Sequence, residues 1–130
     1  MIPIDPQQEL FIKLKLDFEA QGFAVYDGVL PPENTPYPFV YLADFQQTNN
    51  MLKNAITGIV YPVIHVWHNT PKQRGTVSQM LQTLFSVCYR IERTTNYSWS
   101  LRNCNSRIIT DTTTKTPLLH GILEPEFIFS

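Results

Sequence analysis

The chain has 130 residues, a formal charge of −1 and 16% charged residues, against about a quarter in an ordinary soluble domain. The length suits a single domain, residues 1–130, around one core. The charge balance argues against a sequence-specific or general nucleic-acid binder, which would be basic or carry a clustered basic face.

The first helix signal is Asp5-Pro-Gln-Gln8: Asp5 suits the cap, Pro6 the first helical position, and Gln8 a capping-box contact. Leu10, Phe11, Leu14 and Phe18 follow on one helical face, with Glu9, Lys13, Asp17 and Gln21 expected opposite, and Gly22 as the stop. A short strand over residues 23–26 and a turn at Asp27-Gly28 come next. The stretch from Leu30 to Pro36 holds three prolines, which remove ladder donors, so it reads as an exposed connector.

Residues 37–45 read as a strand, with Phe39, Tyr41 and Ala43 on one face and Val40 and Leu42 on the other. Gln46, Gln47, Thr48, Asn49 and Asn50, extending through Lys53 to Asn54, are polar and without periodicity; they read as the tip of a long hairpin. Residues 56–68 return antiparallel. Here both alternation sets are largely apolar: Val60, Ile64 and Val66 on one side, Tyr61, Val63 and Trp67 on the other. A strand apolar on both sides wants cover on both, one from the domain's helices and the other from a neighbouring subunit. Pro62 suggests an edge or a bulge.

Thr70-Pro71-Lys-Gln73 repeats the capping logic, and Val77, Met80, Leu81, Leu84, Phe85, Cys88 and Ile91 recur at helical spacing. Arg90 and Arg93 suit the helix C-terminal dipole. Two further strands, over residues 99–110 and 118–129, are joined by a turn containing Asp111, Thr112 and Lys115. The order predicts an α+β fold: an antiparallel sheet of about four to five strands with two helices packed mainly on one face.

Candidate chemistry is sparse. His65 and His68 are three apart on a strand and point to opposite faces, so they cannot share a metal; His65 reads as a packed, hydrogen-bonded strand histidine. His120-Gly121 lacks a linked nucleophile signature. Glu124 and Glu126 share a strand face, and a solvated edge with paired charges explains them better than a glycosidase pair. Arg90, Arg93, Arg102 and Arg107 fall in one third of the chain and read as salt bridges or solvated faces. No glycine pattern suits a phosphate, and Cys88 and Cys104 lack metal or disulfide spacing. No catalytic residue, metal or cofactor is expected. The chain shows no secretory leader and no run long enough to span a bilayer, so no membrane partner is expected.

Four ordered pieces carry a resemblance. Val25-Tyr-Asp-Gly-Val29, Pro36-Tyr-Pro-Phe-Val-Tyr-Leu42, Ile64-His-Val-Trp67, and Arg107 to Leu123 with its closing His120-Gly-Ile-Leu123 resemble the small tail-completion proteins of long, non-contractile-tailed phages and prophages. The match runs from about Val25 to Phe127. The chain departs from the pattern in a longer Pro31-to-Thr35 insertion and at Leu118-Leu119, where an Arg often precedes the His. The resemblance implies a fold similar to tail terminators and a non-enzymatic virion assembly protein. It implies a ring subunit, a hexamer, that caps the tail tube and joins it to the head connector or stopper; the free protein is expected to be a monomer that forms the ring on its template. Its partners would be itself, the tail tube protein and the connector. Its place would be the head–tail interface of the virion, after assembly in the host cytoplasm. On that reading the hairpin residues 46–54 and the turn around Asp111, Thr112 and Lys115 are assembly-contact loops, and Tyr61, Val63, His65 and Trp67 form a strand serving fold and interface. A soluble α+β binding module, or a small accessory enzyme subunit of unknown ligand, is the competing reading.

Overall fold

The computed structural model describes residues 4–130. In chain order it contains α1 (Pro6–Ala20), β1 (Val25–Asp27), β2 (Phe39–Met51), β3 (Ile56–His68), α2 (Arg74–Arg90), β4 (Trp99–Asp111) and β5 (Leu118–Phe129). The strands form one sheet in the order β1-β2-β3-β5-β4. All neighbours are antiparallel except β1, which pairs parallel with β2 through Val25↔Val40 to Asp27↔Leu42. The sheet is thus mostly rather than wholly antiparallel. The chain leaves β1 through a long connector, and such a crossover is what parallel pairing needs.

Both helices lie on one face. The core joins Leu10, Leu14 and Phe18 of α1, and Val77, Leu81, Leu84 and Cys88 of α2, to Val40, Leu42, Val60, Ile64, Val66, Leu123, Phe127 and Phe129 of the sheet. Gly121 permits this approach: a Cβ there would lie 2.8 Å from Val77 Cγ1 and 3.2 Å from Leu81 Cδ1 of α2. Cys88 is buried in this core, and burial raises its thiol pKa well above the ordinary value, which leaves it inert.

Three expectations are corrected at the helix starts. Asp5 is the α1 N-cap, yet its side chain caps nothing, so the Gln8 capping box does not form. Glu9, expected on the solvent face, is only 7% exposed. Its carboxylate accepts hydrogen bonds from the Asn96 backbone N–H (3.0 Å) and from Asn96 Nδ2, tying α1 to the segment before β4. The second helix begins at Arg74, later than the Thr70-Pro71 signal. Residues 70–73 form a separate turn closed by Gln73 N to Thr70 O, and the Gln73 side chain reaches His68 instead.

Pro62 sits in a central strand. In the register that runs from Val60↔Phe127 to Ile64↔Leu123 it falls opposite Pro125, and pairing lapses where neither residue can donate. The bulge lies on the other side, in β2, where the register shifts by one residue between Leu42↔Ile64 and Phe45↔Pro62. This brings Phe45 to the helix face, where its ring meets Phe11 edge-on at 5.6 Å.

Candidate assembly surfaces

Among the described residues, no helix or strand covers the face of the sheet away from α1 and α2. Cross-strand register builds it in two rows. Phe39 of β2 pairs with Trp67 of β3, which pairs with His120 of β5, which pairs with Ile109 of β4; Tyr41, His65, Ile122 and Arg107 line up likewise. Segments far apart in sequence therefore converge on one half-buried aromatic patch. The Trp67 and His120 rings stack at 3.8 Å and 10°, and His120 in turn stacks on His65 at 5.0 Å. The His65 Nδ1 and His120 Nε2 atoms lie 2.7 Å apart, so one ring donates a hydrogen bond and the other accepts it. Burial lowers both imidazole pKa values. That of His120 falls to about 4, with the neighbouring His65 and Arg107 adding to the effect against the pull of Asp111.

His65 is thus the packed, hydrogen-bonded strand histidine expected, and its partner is His120, which sequence spacing could not pair with it. His68 points the other way, is buried on the helix side of the sheet, and has Nε2 2.8 Å from Gln73 Oε1. Among the described residues no group of three His, Cys, Asp or Glu side chains is placed to hold a metal. Tyr61 and Val63 continue the outer face beside Glu124 and the β2 bulge, where a shallow cleft forms. Glu126 pairs with Arg102 at 2.7 Å, so the paired charge expected of Glu124 and Glu126 holds for one of them. The strand carrying both is not an edge, since β4 covers it. The four arginines form no single patch. Arg90 and Arg93 flank Lys13 and Asp17 at the end of α2, Arg102 is held by Glu126, and Arg107 lines a cleft with Arg74 between α2 and β4. Cys104 shares that cleft, with its thiol pushed up to about 11 by burial.

The β2–β3 hairpin is the second surface. Gln46, Gln47, Thr48, Asn49 and Asn50, expected as loop, are ladder residues of β2, paired with Tyr61 through Thr57 of β3. Polarity misled because a ribbon with solvent on both faces needs no apolar alternation. The turn is residues 52–55, closed by Leu52 N to Ala55 O and carrying Lys53 and Asn54. Beyond Gly58↔Phe129 the ribbon has no third strand, so it projects from the sheet. Its end is apolar: Met51, Leu52 and Ile56 are 84%, 60% and 59% exposed. Sequence reading missed these three, although apolar residues inside a polar turn were a legible signal.

The third surface lies at the opposite end of the ribbon. The proline-rich connector and the β4–β5 turn enclose a groove of about 410 Å³, with Leu30, Pro31, Pro32, Tyr37, Phe39, Trp67 and Leu118 as apolar walls and Glu33 and Asp111 as its acids. Asp111 accepts from the Thr113 N–H (2.9 Å) and hydroxyl (2.6 Å), and these bonds hold its pKa below the ordinary carboxylate value. Thr112 and Lys115 are exposed in the same turn. The Trp67 indole N–H is buried and has no acceptor among the described residues.

This fold is shared with a protein of a virion particle and with a bacteriophage protein. A protein of the virion of a native gene transfer agent particle is 13% identical over 96% of this chain and 95% of its own, with a TM-score of 0.64. The bacteriophage SPP1 gp17 protein is 20% identical over 93% of this chain and 88% of its own, with a TM-score of 0.60. No family model matches the chain, and no curated protein matches it. At these identities the likeness establishes the α+β fold, five strands and two helices included.

Proposed function

We propose that the chain is a structural virion assembly protein: a ring subunit, hexameric in the virion and monomeric when free, that completes the tail tube and joins it to the head connector. The observation that carries this reading is a fold shared along nearly the whole of both chains with a component of a virion particle. The likeness to the bacteriophage SPP1 gp17 protein over 93% of the chain supports it from a second source. The uncovered aromatic face, the projecting hairpin and the groove give such a subunit the unlike lateral and axial surfaces that a ring requires. On this reading Tyr61, Val63, His65 and Trp67 serve fold and interface together, while the hairpin from Gln46 to Asn54 and the turn at Asp111, Thr112 and Lys115 make assembly contacts. Catalysis and cofactors have no part in the role, and the protein passes from host cytoplasm into the head–tail interface of the finished particle.

The test is complementation. Tails assembled without this chain should fail to join filled heads, and adding the purified protein should restore joining. Labelled protein should appear once, at the head-proximal end. Tails that join heads equally well without it, or label spread along the tube, would overturn the reading.

A further inference from the structure

The hairpin tip and the groove differ in a matched way. The tip presents three exposed apolar side chains, Met51, Leu52 and Ile56, around one cation, Lys53, and no acid lies between Gln46 and Tyr61. The groove presents apolar walls and two acids, Glu33 and Asp111, and no Lys or Arg lines it. Among the described residues Lys53 makes no salt bridge, nor does Glu33. The groove volume of about 410 Å³ falls in the range of sites that accept a compact apolar ligand. A chain cannot fill its own groove: the 13-residue β2 separates the two features by about 40 Å.

We propose that the hairpin tip of one copy seats in the groove of a second copy. Leu52 and Met51 enter against Pro31, Pro32 and Trp67, and Lys53 comes to Glu33 and Asp111. The charge match selects a second copy as the occupant, because the only cation at the tip meets the only two acids of the groove. The two surfaces are unlike, so the contact is heterologous: it propagates from copy to copy and closes a ring where the rotation permits. It supplies the subunit contact of the ring described above and rests on that reading for its closure, though not for its existence.

Disulfide trapping tests it. In a Cys104→Ser background, Leu52→Cys is placed at the tip and Thr114→Cys at the groove rim, and melting curves confirm that both variants fold. Mixed at millimolar concentration under mild oxidation, the two should couple to each other, while each alone couples little. A chain carrying both cysteines should give a ladder of linked multimers on a non-reducing gel. Lys53→Glu should lower coupling about tenfold, and adding Glu33→Lys on the other partner should restore it. Coupling in the mixture no greater than in either variant alone overturns the proposal. So does dominant Leu52→Cys self-coupling, which marks a two-fold contact, and so does an unchanged yield in Lys53→Glu. If heads and tails join normally but no cross-link forms, the contact is wrong and the assembly role stands. If cross-links form but joining does not depend on the protein, the reverse holds.

Discussion

Replacing Glu9 by alanine probes a tie between α1 and the segment before β4 that spans 87 positions in sequence. The carboxylate accepts the Asn96 backbone N–H at 3.0 Å and the Asn96 side-chain amide. Hydrogen bonds to a charged group contribute about 1.5–3 kcal/mol net, and a first-turn acid adds about 0.3–1 kcal/mol against the helix dipole. Asn96 is itself exposed, so water recovers part of the loss when the carboxylate is removed. A cost of about 2 kcal/mol results, or a fall in Tm of about 6 °C for a domain of this size. Burial alone would raise the pKa of Glu9, but the bonds from Thr94 and Asn96 outweigh it, and the folded pKa lies below the unfolded value near 4.5. The stabilisation is therefore complete above that value and is lost as pH falls through the folded pKa. Urea unfolding followed by tryptophan fluorescence at neutral pH and near pH 3 measures both effects. A difference below about 0.5 kcal/mol at neutral pH would refute the reasoning, as would one that does not shrink in acid.

Gly58→Ala should cost about 2–3 kcal/mol by overpacking, because its Cβ would overlap the Thr48 carbonyl oxygen and lie 2.8 Å from the Phe129 ring; denaturant midpoints check this. The His120 imidazole, held down to about 4 by burial and by His65, stays neutral in the folded state, while the unfolded chain protonates near 6.5. Stability should therefore be complete above about pH 6.5 and decline as pH falls toward about 4, with Asp111, Asp44 and Glu124 as the acids facing the pair and Arg107 as its cation. His120→Gln should remove much of that decline between pH 7 and 5, and an unchanged profile would assign it to other groups.

The elements were legible where periodicity was strong. Leu10, Leu14 and Phe18 mark α1, and the run from Val77 to Cys88 marks α2, because each buries one stripe. The strands from Trp99 and Leu118 were bounded nearly to the residue by the threonine-rich turn between them. Pairing was less legible. Parallel β1 depends on where a proline connector delivers β2, and no local pattern encodes that. The polar half of β2 failed as a strand signal because solvent bathes both faces of the ribbon. The α2 start was misplaced because the Gln73 side chain turns back to His68, five residues away, and the side of Glu9 was misplaced because its partner, Asn96, lies 87 residues off. Of the candidate surface, the alternation of Tyr61, Val63, His65 and Trp67 was readable, but its continuation through His120 and Ile122 needed the register of β5.

The single extra residue in β2 between Leu42 and Phe45 acts as a phase shift in the hairpin. Up to it, odd-numbered side chains face away from the helices; after it, the odd-numbered Phe45 faces toward them. Everything from there to the tip inherits the second phase. Deleting one residue at Ala43 or Asp44 would make the ladder regular and leave Phe45 opposite Pro62, so the distal ribbon would keep its faces and lose only the local bend that the extra residue imposes. When chains of this fold are compared, the position of that one residue, rather than the length of the hairpin, decides which positions of two aligned sequences stand on the same side of the projecting ribbon.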